Sequence, residues 1–253
     1  MLVVAGALHW DVVVRAPRLP REDETLRGSA VAYRFGGKGG NQACAAAAAG
    51  APVAFLGRVG ADAAGEAMVQ TLAAAGIDTA GLQRGPGASG MSVAITEAGG
   101  GYGAVIVPGE NHALDLGALA LPRGARMLLL QNELAAEALP ALVAWGREAG
   151  LHVALNAAPA EGVGTWVLGA VDTLIVNRLE ALDILGAAPA ALTPAEMVEA
   201  LQGCAPRADV IVTLGAEGAA FARAGAPAAC APAPAVTPVS THGAGDVFCG
   251  TWA

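Results

Sequence analysis

The stretch Gly36-Gly37-Lys38-Gly39-Gly40-Asn41-Gln42-Ala43 sets one lysine between two glycine pairs and runs into an alanine-rich segment predicted as a helix over 41–49. Glycines let a backbone approach a ligand closely and reach positive φ. The free N–H groups of a helix start can meet an anion or a hydroxyl. Asn41 offers both a donor and an acceptor, which suits a sugar hydroxyl. The stretch is not a Walker A loop, because that motif needs Ser or Thr after Gly-Lys and Lys38 is followed by Gly39. Lys38 is the single lysine of a chain with 13 arginines, so a compact ammonium is kept at one place, beside close backbone.

Outward from this stretch, short β-rich runs alternate with alanine-rich helical ones. Strands are predicted at 2–5, 12–14 and about 25–34, with no helix between the last two, then at 53–56. A helix follows over 63–75, and 91–96 with 102–107 forms a hairpin-like pair around Gly99-Gly100-Gly101. Beyond it, strands at 127–130, 153–155, 173–176 and 210–213 alternate with helices at about 135–149, 178–185 and 194–203. This is the pattern of an α/β protein with a mostly parallel sheet flanked by helices. The β-only excursions at about 12–34 and 90–107 would build a small sheet inserted in a single domain over 1–253, standing off it as a lid.

Composition narrows the function classes. Hydrophobic residues make up 55% and charged ones 14%, which excludes a disordered chain. Net charge is -8 with no basic cluster, which argues against nucleic acid as a partner. An anionic substrate would then need a local site of backbone N–H groups or a few placed cations. Cys44, Cys204, Cys230 and Cys249 form no CxxC pair and fit no zinc spacing. The longest apolar stretch, 43–57, is too short and too broken by Gly50 and Pro52 to span a bilayer, and no basic segment opens the chain as a signal peptide would. No membrane partner and a cytoplasmic location are expected.

The second chemical stretch is Gly243-Ala244-Gly245-Asp246. Small residues at a helix start leave a ring of bare N–H groups, an anion hole for charge on a transferring phosphoryl group. A carboxylate there can take the proton of an attacking hydroxyl, or can merely cap the helix.

Together the two stretches resemble the PfkB family of carbohydrate kinases, and the ribokinases within it. The family pattern continues after Ala43 with glycines at Gly50 and Gly60, and its C-terminal signature is similar to Ser240-Thr241-His242-Gly243-Ala244-Gly245-Asp246. Between them, Gly6 to Asp11, Leu130-Gln131-Asn132-Glu133, Leu155 to Ala160, Asn177-Arg178-Leu179-Glu180 and Thr213 to Gly218 resemble ribokinase segments. The resemblance implies a ribokinase-like fold and transfer of the γ-phosphate of ATP to a sugar hydroxyl. Asp246 would be the general base, with Gly243, Ala244 and Gly245 as the anion hole. His9, Asp11, Gly37, Lys38, Asn41 and Glu133 would face the sugar. Asn177, Thr213, Gly215 and Gly218 would serve ATP, and Glu180 the Mg2+. It also implies a homodimer formed through the β lid.

The departures shape the expectations. His9 stands where ribokinases carry a sugar-contacting Asn, which leaves the sugar open. Ser240 replaces an Asp that in ribokinases helps bind K+, so ATP and Mg2+ are the expected cofactors and K+ stays an open one. The family continues past the equivalent of Ala253 through part of the adenine pocket, so the sequence reads as truncated or incomplete, with its nucleotide half the weaker. Two alternatives stand beside the sugar kinase: a nucleoside kinase of the same fold, with His9 and Trp10 packing on a base, and a non-catalytic sugar- or nucleotide-binding relic.

Overall fold

The computed structural model describes residues 1–97, 101–188, 192–237 and 243–253. In chain order the elements are β1 (Leu2–Ala5), β2 (His9–Ala16), β3 (Ala30–Gly36), α1 (Lys38–Ala48), β4 (Val53–Gly60), α2 (Ala63–Ala74), β5 (Leu82–Gly85), β6 (Met91–Glu97), β7 (Tyr102–Val107) and β8 (Met127–Gln131). They continue with α3 (Ala138–Glu148), β9 (His152–Asn156), α4 (Thr165–Ala170), β10 (Thr173–Asn177), α5 (Arg178–Leu185), α6 (Pro194–Cys204), β11 (Asp209–Thr213), β12 (Ala219–Ala222), β13 (Ala229–Ala231) and α7 (Ala244–Trp252).

Nine strands form one sheet in the order β13-β12-β11-β10-β9-β8-β1-β4-β5. From β11 to β5 neighbours are parallel; β12 and β13 add an antiparallel edge. Alternation along β1 explains why the sheet is covered on both faces. Val3 and Ala5 pack with Leu128, Leu130, Leu142 and Val198 on one side. Leu2 and Val4 pack with Leu129, Phe55, Met68, Leu72 and the alanines of α1 on the other. The parallel strands therefore end together on one edge, and Gln131, Asn156, Asn177 and Thr213 are the last residues of β8, β9, β10 and β11. Loops at that edge are where such sheets place ligands.

A second sheet has the order β3-β2-β6-β7. Its central pair, β2 with β6, is parallel, and its outer pairs are antiparallel. Asn111 ties it to the large sheet at the chain segment just before β2. Its side chain accepts from the Leu8 N–H at 2.9 Å and donates to the Leu8 carbonyl at 2.8 Å, as a neighbouring strand would.

Several boundaries differ from those predicted. Helix α1 starts at Lys38, not at 41, so Gly39 and Gly40 lie inside its first turn. Glycine disfavours a helix on its own, but a Cβ on Gly39 would stand 2.9 Å from the backbone of Gly6, and the close packing of α1 on the end of β1 outweighs that preference. The strand predicted over 25–34 begins only at Ala30, and α3 begins at Ala138. Strands β5, β12 and β13 and helix α4 were not predicted; each spans only three to six residues, too few for a period to register. Gly99 and Gly100 of the predicted hairpin turn, and Ser240, Thr241 and His242, lie outside the described residues.

Candidate active site

Helix α7 presents Asp246 in its first turn. Gly243 is its N-cap, in the left-handed region at φ 75°, and the first helical bond runs from the Val247 N–H to the Gly243 carbonyl at 2.9 Å. The N–H groups of Ala244, Gly245 and Asp246 thus have no carbonyl within the helix to meet. A Cβ added at Gly243 or Gly245 would touch nothing among the described residues.

The Asp246 side chain is 8% exposed and is held from α1. Asn41 Nδ2 donates to Oδ2 at 3.0 Å, and Gln42 Nε2 donates to Oδ1 at 3.0 Å. Gln42 is wholly buried and also donates to Asn156 Oδ1 at 3.0 Å, while its own oxygen accepts from Gln131 Nε2 at 2.7 Å. Asn156 passes the chain on to the Ile175 carbonyl at 3.1 Å. Sequence reasoning missed Gln42, Gln131 and Asn156 as site residues. A signal was present: three buried amides at the ends of apolar runs require partners.

Asp246 lies on the wall of a cleft of about 450 Å³ whose other walls include Lys38, Asn156, Asn177, Glu180, Thr213 and Gly245. Next to it, and sharing Thr213 and Gly245, is a more apolar cleft of about 380 Å³ between Gly215, Gly218, Ala231 to Pro234 and Phe248. The sequence-predicted residues thus divide. Lys38, Asn177, Glu180, Thr213, Gly243, Gly245 and Asp246 meet in the first cleft, and Thr213, Gly215, Gly218, Ala244 and Gly245 in the second.

The remaining candidates stand outside the walls of both clefts, toward the small sheet. Gly37, at φ 86°, is the N-cap of α1, and a Cβ there would lie 2.5 Å from the Ala7 carbonyl oxygen. The turn therefore requires glycine for its conformation and for its clearance. The Lys38 N–H donates to Glu133 Oε2 at 2.7 Å. Burial raises the Glu133 carboxyl above the usual range, with Asp246 and Asp11 adding to the shift and Lys38 opposing it. Asp11 accepts from Ser92 Oγ. His9 shares the Asp11 face of β2 and is 5% exposed; its Nε2 is buried with no hydrogen-bond partner. Burial lowers its pKa below the usual 6.5, so the ring is neutral at pH 7.

Asn177 and Glu180 form a capping box on α5. Asn177 Oδ1 accepts from the Glu180 N–H at 2.9 Å, and Glu180 Oε2 from the Asn177 N–H at 2.8 Å. Burial raises the Glu180 pKa, with Asp246 adding to the shift and Lys38 opposing it. Its Oε1 has no hydrogen-bond partner among the described residues, and one free carboxylate oxygen suits a Mg2+ that is otherwise bound by phosphate and water. No group of three or more acidic, His or Cys side chains among the described residues makes an all-protein metal site. Among the described residues no helix is long and apolar enough to cross a membrane.

The Asp246 carboxylate thus stands, held twice, in the first turn of a helix beside a polar and an apolar cleft at the ends of parallel strands. The chain belongs to the pfkB family of carbohydrate kinases, whose model matches residues 1–253. It is 30% identical over 251 residues to the ribokinase of Bacillus subtilis, covering 98% of this chain and 82% of that protein. It is 30% identical over 261 residues to the deoxyribokinase of Salmonella typhi, covering 100% of this chain and 84% of that protein. The structure of Arabidopsis thaliana ribokinase complexed with ribose and ATP superposes with a TM-score of 0.85 at 27% identity, over 98% of this chain and 83% of that one. The family and the fold are those that the glycine stretches implied.

Proposed function

We propose that the chain transfers the γ-phosphate of ATP to a hydroxyl of a pentose-like sugar, with Asp246 as the general base. The observation that carries this reading is the place of Asp246: a buried carboxylate in the first turn of α7, on the wall of the polar cleft and next in sequence to Gly245, which both clefts share. Each of its oxygens accepts one amide bond and keeps a lone pair for a substrate hydroxyl. The sugar lies between the first cleft and the small sheet, held by Asp11, Lys38, Asn41 and Glu133, with His9 beneath it and Gly37 giving the clearance. ATP places its base in the apolar cleft at Gly215 and Gly218 and its phosphates in the polar one at Asn177 and Thr213. Asp246 takes the hydroxyl proton as the oxygen attacks the γ-phosphorus and the bond to ADP breaks. Charge on the equatorial oxygens is met by the N–H groups at Gly243, Ala244 and Gly245 and by the Lys38 ammonium. Glu180 would hold Mg2+, which supplies neutralising charge to the phosphates when bound.

The small sheet serves as the lid over the sugar. Tyr33, Val12, Val93 and Val105 lie in register across its four strands, and Tyr33, Val93 and Val105 are exposed. That apolar row supports a homodimer paired through the lids. The relatives named for ribose and deoxyribose kinases favour a free pentose over a nucleoside.

ADP release with ATP and a panel of ribose, 2-deoxyribose and adenosine tests the reading. Sugar-dependent release is expected, and Asp246→Asn should lower turnover at least about a hundredfold while calorimetry still detects ATP and sugar. Near-normal turnover in Asp246→Asn removes the base assignment; release with adenosine alone replaces the sugar by a nucleoside.

A further inference from the structure

We infer that Gln42 is a positioning residue for the reaction, an inference that rests on Asp246 being the base: its amide fixes the Asp246 carboxylate to the ends of the central strands. Helix α7 brings Asp246 to the site, but the side chain's hydrogen bonds come from α1. Asn41 holds one oxygen from beside the cleft, and Gln42 holds the other from the interior. Gln42 is fully buried, and both hydrogens of its NH2 are used, one on Asp246 and one on Asn156. Asn156 is the last residue of β9, and Gln131, which donates to Gln42, is the last residue of β8.

The sense of this network is set by two groups at its ends that only accept, the Asp246 carboxylate and the Ile175 carbonyl, to which Asn156 gives its nitrogen. An ionised carboxylate only accepts, so Gln42 must turn its nitrogen toward Asp246 and its oxygen toward Gln131. Gln131 must then give its own nitrogen to Gln42. Its oxygen is left buried without a partner, against Gly6, where a Cβ would come within 2.0 Å of it. A buried acceptor with no donor is costly. Turning the Gln131 amide over would set its oxygen against the Gln42 oxygen, so the orphan follows from keeping the Gln42 donors aimed at Asp246 and Asn156. The carboxylate is thereby fixed before substrate arrives, as a base that must meet a hydroxyl in one geometry requires.

A double-mutant cycle tests this, using the full chain, the best sugar of the panel and ATP. Gln42→Met keeps the side-chain length and removes the donor. We expect its turnover to fall about tenfold to a hundredfold, the cost of a misplaced catalytic group, with both Michaelis constants within about twofold. In an Asp246→Ala background the same change should cost nothing further, because the carboxylate it positions is gone. Equal losses in both backgrounds, a change confined to the Michaelis constants, or unchanged turnover in Gln42→Met with Asp246→Ala inactive would each overturn the inference and leave the base assignment standing. An active Asp246→Ala enzyme overturns both. If Gln42→Met does not fold, Gln131→Met frees the Gln42 amide to rotate while keeping Gln42 itself. Its turnover should then fall several-fold in the native background alone, and a loss in both backgrounds overturns the inference.

Discussion

Gly250 passes so close to Gln42 that a Cβ on Gly250 would stand 2.2 Å from the Gln42 carbonyl oxygen and 2.8 Å from the Ala45 Cβ. Helices α1 and α7, far apart in sequence, thus pack backbone to backbone one turn beyond Asp246. Gly250→Ala should force them apart. Overpacking at such a contact costs about 1–3 kcal/mol, and the Asn41 and Gln42 bonds to Asp246 stretch with it. Thermal unfolding should show a lowered midpoint, and turnover should fall more than sugar affinity. A variant with the native midpoint and native turnover would show that the contact relaxes freely.

Lys38 is the cation of a cleft that also holds Glu180 and Asp246. Among the described residues it is also the one basic side chain of that cleft's walls, where an anionic triphosphate would add further negative charge. Lys38→Met should raise the Michaelis constant for ATP about tenfold or more, the worth of one hydrogen bond to a charged group. The Lys38 N–H bond to Glu133 is made by backbone and survives the change. Steady-state kinetics at saturating sugar decides; an unaltered constant for ATP would assign Lys38 to the sugar alone.

Glu180→Gln separates two roles of one carboxylate. Gln can serve at the third helical position of a capping box, so the start of α5 should be kept and the unfolding midpoint should hardly move. A Mg2+ ligand, by contrast, loses its charge, and the Mg2+ concentration for half-maximal turnover should rise about tenfold, a loss on the order of 1.4 kcal/mol. Titration of activity with Mg2+ checks this. An unchanged midpoint for Mg2+ makes Glu180 a cap and nothing more.

His9 should make stability fall on acidification. Its folded pKa lies below 6.5, chiefly through burial, with Asp11 opposing the shift. Between the folded value and 6.5 the unfolded chain binds more protons than the folded one, so acidification through that window favours unfolding. His9→Asn removes the group. Denaturant unfolding at pH 7 and pH 5 should therefore show the native chain losing stability relative to His9→Asn. Parallel changes in the two proteins would place the ring outside that linkage. The same variant, compared on ribose and on the best native sugar, reports whether the unpartnered Nε2 meets a substrate hydroxyl.

The class of fold and the two ends of the site were legible in the sequence, because both are local. Short apolar runs alternating with alanine-rich helices specify a covered parallel sheet, and Gly36 to Asn41 and Gly243 to Asp246 each carry their chemistry within a few residues. The capping box of Asn177 and Glu180 is equally local, two side chains three residues apart. What only the tertiary structure decided is which groups hold which. That Gln42, Gln131 and Asn156 converge on Asp246 depends on four elements meeting at one sheet edge, with sequence separations of 89 to 204 residues. The start of α1 belongs here too: glycine propensity places it after Gly40, while the close approach of Gly39 to Gly6 draws the helix back to Lys38. A local pattern fixes what a segment prefers to be. Only packing fixes what it touches, and the hydrogen bonds of buried polar groups follow from that.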